Sequence, residues 1–238
     1  RAEIYAAVLA SCQPDVVGVQ ESDQKWIDTL PMYLEILKTD YQLEYTWLFY
    51  DFQKKETFTT VLYRSDKYEL LESDIFNHSY WNKPLYNLRL HEWVRLREKE
   101  DPSHEFILVN THWAWENEEW TKGSVDAQIE VVNDLKQRYD VPIFCTGDFN
   151  CNPTMEEYAR FRAETNVQST REQAIENGVL ANNVAGCNGV GVPRNAGGNY
   201  IDHIFGYGSY EVLKYETVLG KAIWISDHSP HIADIKLS

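Results

Sequence analysis

Basic residues are scarce in this chain: 22 lysines and arginines stand against 37 aspartates and glutamates, a formal net charge of −15. No cluster of Lys and Arg is present to grip a polyanion. Proteins that hold nucleic acid through a basic surface have the opposite balance, so tight nonspecific nucleic-acid binding is disfavoured. A nuclease is not excluded, because a bound divalent cation offsets the local repulsion of a phosphate. Cysteine is sparse too. Cys12, Cys145, Cys151 and Cys187 form no CxxC pair and no zinc-type spacing with histidine, which predicts free thiols rather than a disulfide scaffold. No apolar run approaches the roughly 20 residues that a transmembrane helix needs. No secretory leader is visible, but the chain opens at Arg1 inside a helical pattern, so the expectation is an N-terminus lying upstream. The compartment, cytoplasmic or secreted, stays open. Linkers and internal repeats are also missing, which predicts one α/β domain over residues 1–238.

What is present is an interleaving of two periodicities. Arg1 to Ser11 reads as a helix, with Ile4, Val8 and Leu9 on one side. Val16 to Val19 reads as a short buried strand ending at Gln20-Glu21, and Ser22 as the N-cap of a helix towards Leu37. Tyr45 to Tyr50, Thr59 to Arg64 and Tyr68 to Phe76 have the β-branched and aromatic character of strands. Leu90 to Glu98 and Glu105 to Thr111 read as a hairpin. Val125, Ile129, Val132 and Leu135 predict a helix over Ser124 to Tyr139, followed by a strand from Val141 to Thr146. Thr154 with Glu157, and Ser169 with Glu172, predict capping boxes for two more helices, the second stopped by Gly178. Gly186 to Gly198 reads as a surface loop, and strands at Tyr200–Phe205, Glu211–Val218 and His231–Leu237 complete the chain. Hairpins in the middle rule out a purely parallel sheet, so the expected architecture is a mixed pair of sheets covered by helices.

Several of these hydrophobic strands end in the same kind of chemistry. Val16 to Val19 delivers Glu21, Phe106 to Val109 delivers Asn110-Thr111-His112, and Val141 to Phe144 delivers Asp148 and Asn150. The strand at Tyr200 carries Asp202, and Ser226-Asp227-His228 immediately precedes the last strand. Polar groups at strand ends in α/β proteins converge on a shared cleft. Two histidines, several carboxylates and an asparagine, without a nucleophilic Ser or Cys beside a base, point to a water nucleophile. Carboxylates are the hard ligands of a magnesium-type ion, with manganese as the alternative, whereas zinc favours more His and Cys. Phosphate-ester hydrolysis needs such a set, because its transition state spreads negative charge over the phosphoryl oxygens.

At these residues the chain resembles the endonuclease/exonuclease/phosphatase superfamily, which includes pancreatic deoxyribonuclease, apurinic endonucleases and sphingomyelinases. The motifs are PDVVGVQE at Pro14–Glu21, NTH at Asn110–His112, GDFN at Gly147–Asn150, IDHIF at Ile201–Phe205 and SDH at Ser226–His228. They fall in family order and span nearly the whole chain. The resemblance implies a fold of two mixed β-sheets packed face to face and flanked by helices, a four-layer sandwich. It implies that Glu21 ligates a metal and that Asp227 contacts the metal site. It also implies that His112 contacts the scissile phosphate, Asp148 positions or activates water, and Asn150 helps hold water and phosphate. Asp202 then orients His228, an imidazole suited to acid–base work near neutral pH.

There are departures. The family's opening strand, which carries a metal-site asparagine, would precede the helix at Arg1, and the expectation is that it lies upstream. The arginine often found in the helix after NTH is missing, while Gln128 matches the accompanying glutamine. His78, His91, His104, His203 and His231 read as structural. Trp113, Trp115 and Trp120 are candidates for lining a substrate pocket, although packing explains them more simply. Arg89 and Arg95 carry nothing to separate phosphate contacts from surface charge. Three functions follow: hydrolysis of a phosphomonoester or phosphodiester, nuclease action on DNA or RNA, and non-catalytic binding by the same fold. The acidic balance favours the first.

Overall fold

The computed structural model describes residues 2–22, 24–48, 59–76, 91–187, 198–220 and 226–238. Five helices and eleven strands lie among these residues. In chain order they are α1 (Ala2–Cys12), β1 (Val16–Gln20), α2 (Gln24–Tyr41), β2 (Tyr45–Leu48), β3 (Thr59–Arg64), β4 (Tyr68–Phe76), β5 (His91–Glu98) and β6 (Glu105–His112). Then follow α3 (Glu118–Arg138), β7 (Ile143–Asp148), α4 (Glu156–Thr165), β8 (Gln168–Ser169), α5 (Thr170–Glu176), β9 (Asp202–Tyr207), β10 (Tyr210–Thr217) and β11 (His231–Leu237). The expected elements at Phe49–Tyr50, His78, Arg89 and Leu90, and most of the Gly186–Gly198 loop, lie outside the described residues.

Six strands form the main sheet in the order β4-β5-β6-β7-β9-β8. It is mixed: β6 and β7 run parallel, while its other pairs run antiparallel. The second sheet layer has two antiparallel parts, β1-β3-β2 and β10-β11. Among the described residues, β1 pairs only with β3 and β11 only with β10. Alternation sends one face of each layer into a common interior, where Val61 and Tyr63 meet Val94, Leu96, Phe106, Leu108 and Phe144, with Ile235 and Leu237 against them. The outer face of the main sheet packs Ile107, Val109, Ile143 and Cys145 against Val125, Val132 and Leu135 of α3 and Phe161 of α4. The outer face of the other layer packs Leu62 and Tyr45 against Leu9 of α1 and Leu30 and Leu37 of α2. Helix, sheet, sheet, helix is the four-layer sandwich. The four cysteines are free thiols, and none of the described helices is long and apolar enough to cross a membrane.

Local chemistry explains where boundaries differ from expectation. Helix α3 begins six residues before Ser124, because Asn117 caps it by accepting the backbone N–H of Trp120, and Glu118 and Glu119 suit the positive end of the helix dipole. Ser169 caps α5 as its capping signal predicts, accepting from the backbone N–H of Glu172. The other capping box does not form. Thr154 donates from both its backbone and its hydroxyl to Asn152 Oδ1, an Asx turn, and α4 starts after Met155 without a side-chain cap. Ser22 stands two residues ahead of α2 and bonds Thr60 on β3 (2.8 Å).

The layers approach closely at Gly18 on β1. A β-carbon there would collide with Asn110 Oδ1 and Thr146 Oγ1. Asn110 cannot yield, because it donates to the carbonyls of Val19 and Thr60 and accepts from Gln20 Nε2 and Thr146 Oγ1. Gly18→Ala is therefore expected to destabilise the protein by about 1–3 kcal/mol, read from the midpoint of urea unfolding. An unchanged midpoint would mean that the layers are free to separate at this point.

Candidate active site

Strand register builds the site. His112 on β6 lies beside Asp148 on β7, and Asp148 lies beside Asp202 on β9. Registered neighbours share a sheet face, so the three form one row across three strands. Beneath that row the same face carries Asn110, Thr146 and Ile204, then Leu108, Phe144 and Gly206. The row thus tops the interior between the sheet layers. His228 comes from the segment before β11 and closes over it.

The distances define a connected set. His228 Nδ1 lies 2.9 Å from both Asp202 oxygens. Its Nε2 lies 3.9 Å from Asp148 Oδ2, and His112 Nε2 approaches the same oxygen at 3.5 Å. Asp148 Oδ1 accepts the backbone N–H of Asn150 (2.8 Å), which holds Asn150 in a left-handed conformation with φ of 47°. The Asn150 side chain donates to the carbonyl of Trp113 (2.8 Å), tying the loop after β7 to the loop after β6.

Electrostatics follow from these contacts. Asp148 is pushed up to about 7, first by burial and then by the negative charges of Asp202 and Glu21. His228 is raised to about 9: burial opposes its charge, but the hydrogen bond and charge of Asp202 and the fields of Asp148 and Asp227 prevail. Asp202 is held below the usual carboxylate range. Burial opposes its charge too, and the bond to His228 with the fields of His228, His231 and His203 overcomes it.

Glu21 follows β1 at a φ of 57° and is exposed, as is Asp227. Both are near enough to the buried pair to act on it electrostatically. Asp148, Asp202 and His228 offer donor atoms within 4.8 Å of one another. Among these donors Asp202 has both oxygens against His228. A hard divalent cation fits this donor set, because it would neutralise acidic groups that otherwise repel one another.

All seven residues singled out from the sequence therefore belong to one neighbourhood: His112, Asp148, Asn150, Asp202 and His228 directly, and Glu21 and Asp227 on its rim. Other residues stand elsewhere. Trp113 does not line a pocket: it is 0% exposed and packs in the core against Phe149 and Phe161 (centroids 4.9 and 5.6 Å). Trp115, two residues on, is 66% exposed. Arg95 pairs with Glu105 at 2.5 Å on β5 and β6. Gln128 Oε1 lies 2.6 Å from His91 Nδ1, which also meets Thr111. His203 packs as a structural residue, on the carbonyl of Cys151 and beside Phe149, and burial pushes it down to about 4. Sequence patterns miss the stitch through Asn110. Its one signal is an amide at an inward-facing strand position, two residues before His112.

The family model for the endonuclease/exonuclease/phosphatase family matches residues 2–228. The chain belongs to that family. Comparison with curated proteins finds no match. Among solved structures, the mannosyl-6-phosphatase Bt3783 of Bacteroides thetaiotaomicron shares 21% identity at a TM-score of 0.78, covering 100% of this chain and 91% of that one. The human Nocturnin catalytic domain with bound sulfate shares 17% at 0.74, covering 100% and 87%. D. rerio TDP2 in complex with a single-stranded DNA product shares 16% at 0.71, covering 99% and 91%. At these identities the likeness establishes the fold.

Proposed function

We propose that the chain is a divalent-metal-dependent phosphate-ester hydrolase in which Asp148 receives the attacking water and His112 and His228 hold the phosphoryl oxygens. The observation that carries this reading is the placement of Asp148 Oδ2 between two imidazoles, 3.5 and 3.9 Å away, while Oδ1 is occupied by Asn150. One carboxylate oxygen is thereby left facing the gap where water and phosphate would meet. His228 stays cationic to about pH 9, which suits it to receive developing charge rather than to take a proton. That favours water positioned by Asp148 over water activated by His228. A bound magnesium-type ion, held by Glu21 and Asp227 beside Asp148, would neutralise phosphoryl charge. Asp202 orients the His228 ring, and Asn150 fixes the loop that presents Asp148.

The substrate is a single phosphate ester on an uncharged group. The net charge of −15 supports this, as do Glu118, Glu119, Glu156 and Glu157 in the first turns of α3 and α4, the helices that follow the strands ending in His112 and Asp148. The similar Bacteroides protein is named for a phosphorylated sugar. A nuclease is the second reading, favoured by the likeness to a TDP2 structure that holds single-stranded DNA. Salt-sensitive DNA binding would select it.

Hydrolysis of p-nitrophenyl phosphate and bis(p-nitrophenyl) phosphate, with magnesium, manganese or EDTA, tests the proposal. Activity is expected with either metal, to fall at least about 100-fold in chelator, and to return when metal is restored. Full activity in EDTA would overturn the metal dependence. The preferred ester distinguishes a phosphatase from a diesterase.

A further inference from the structure

Positive charge is scarce in this acidic chain, and most of its guanidinium groups are neutralised by a carboxylate. Arg64, Arg95, Arg97, Arg138, Arg160 and Arg162 each pair with an aspartate or glutamate. Arg171 is the one arginine among the described residues without such a partner. Its guanidinium instead lies over the ring of Tyr200, 4.4 Å from the centroid, and donates through Nη2 to Asn183 Oδ1. The Tyr200 hydroxyl reaches the same oxygen at 3.4 Å. Neutral partners thus hold the cation in place without cancelling its charge.

Both partners belong to segments that frame the active site. The backbone before β9 is extended: the Ile201 carbonyl accepts from Phe149, and Asn199 pairs with Cys187. Tyr200 stands two residues before Asp202, so alternation turns it to the same side, about 7 Å further out than the row. Asn183 leads into Gly186, where a β-carbon would lie 2.9 Å from Asp202 Oδ2, and Cys187 bridges to His228. Helix α5 lies on this side too, since Ala174 packs with Ile204, Val212 and Tyr215. Arg171 and Tyr200 are half-buried and Asn183 is exposed, so the cluster is open to a ligand.

We propose that Arg171, with Tyr200 and Asn183, is a specificity site for the group that carries the phosphate, and that this group is polyhydroxylated, a sugar or polyol. The inference rests on the phosphate-ester reading above. With the phosphate against His112 and His228, the attached group extends outward along the rim on which Tyr200 stands. The planar fork of a guanidinium matches two oxygens side by side, as neighbouring hydroxyls present them, and the Asn183 amide adds donors. A second anion would suit the fork, but Glu21 and Asp227 are exposed at the same rim and repel it. Hydroxyls carry no such penalty. An apolar group would leave the guanidinium desolvated and unpaired.

Rates with magnesium on p-nitrophenyl phosphate, glucose-6-phosphate and mannose-6-phosphate test this in the parent, Arg171→Ala and Arg171→Lys. The parent should prefer at least one sugar ester. In Arg171→Ala, kcat/KM for that ester should fall about 10–100-fold more than for p-nitrophenyl phosphate, the scale of hydrogen bonds from a charged donor, with most of the loss in KM. Taking the ratio of the two substrates cancels any loss of folded protein. Arg171→Lys keeps the charge without the fork and should recover little. Binding without turnover is read by proton NMR in Asp148→Asn, which lacks the water-positioning carboxylate. There the Arg171 Nε–H resonance, identified by its absence when Arg171→Lys is added, should move with the sugar ester and stay with methyl phosphate. A ratio that shifts less than about threefold in Arg171→Ala would overturn the proposal. So would a parent that cleaves p-nitrophenyl phosphate but neither sugar ester. A larger Arg171 effect on glucose-1,6-bisphosphate, rescued by lysine, would overturn it in favour of a second anion. If the parent hydrolyses no ester, the phosphoesterase reading fails, and the resonance alone decides whether Arg171 meets the sugar.

Discussion

Replacing His228 by alanine is expected to lower kcat about 10²–10⁴-fold, the range for losing a positioned proton-bearing group, with KM changed only a few-fold. The imidazole is fixed through Nδ1 on Asp202, which leaves Nε2 directed towards Asp148 and the phosphoryl oxygens it is proposed to hold. Asp202→Asn should follow the same course more mildly. It keeps the shape but removes the charge that holds His228 cationic. A second signature lies in stability. The folded pKa of His228 is raised above its unfolded value, so its contribution is complete below about 6.5 and lost as the pH climbs through about 9. The metal-free alanine variant should therefore be less stable than the parent at pH 6, on the order of 2 kcal/mol, and nearly equal to it at pH 10. Retention of more than a tenth of the parent kcat would remove His228 from the reaction.

Asp148→Asn is expected to abolish activity while stabilising the metal-free protein. Asparagine keeps the Oδ1 acceptor that Asn150 uses but loses the charge that burial, Asp202 and Glu21 all oppose. The sign is set by the raised pKa. An Asp148 carboxylate raised to about 7 stabilises the fold only below its unfolded pKa near 4, and that contribution is lost as the pH rises through about 7. The stability difference in favour of Asp148→Asn should open between about pH 4 and 7 and then level, reaching on the order of 2 kcal/mol at pH 8. Adding magnesium should stabilise the parent and leave the variant little changed, because the ion binds the charge that the variant lacks. Thermal unfolding at pH 5 and pH 8, with and without magnesium, measures all of this. A variant less stable than the parent at pH 8 without metal would contradict the buried, repelled carboxylate.

Several strands were legible because their patterns are strong. Thr59–Arg64, Tyr68–Phe76 and His231–Leu237 stand where the β-branched and aromatic runs place them. The helix over Val125, Ile129, Val132 and Leu135 is legible from its period, but its start is not. Asn117 caps from outside the apolar stripe, where periodicity carries no signal. The two-residue β8 is too short for any alternation to register. Trp113 and Trp115 are indistinguishable in the sequence, and only the loop geometry after β6 sends one into the core and the other to the surface.

The chain by itself determined which residues gather at one rim of the fold. Strand-end motifs name Glu21, His112, Asp148, Asn150, Asp202, Asp227 and His228, because short buried strands must deliver their polar ends to the same rim. Tertiary structure alone decided how those residues act on one another. Register across β6, β7 and β9 lines up three positions separated by tens of residues, and no local pattern records a register between distant strands. The same long-range packing desolvates Asp148 and sets Asp202 against His228. Protonation is decided by burial and neighbouring charge, and both are properties of the packed layers.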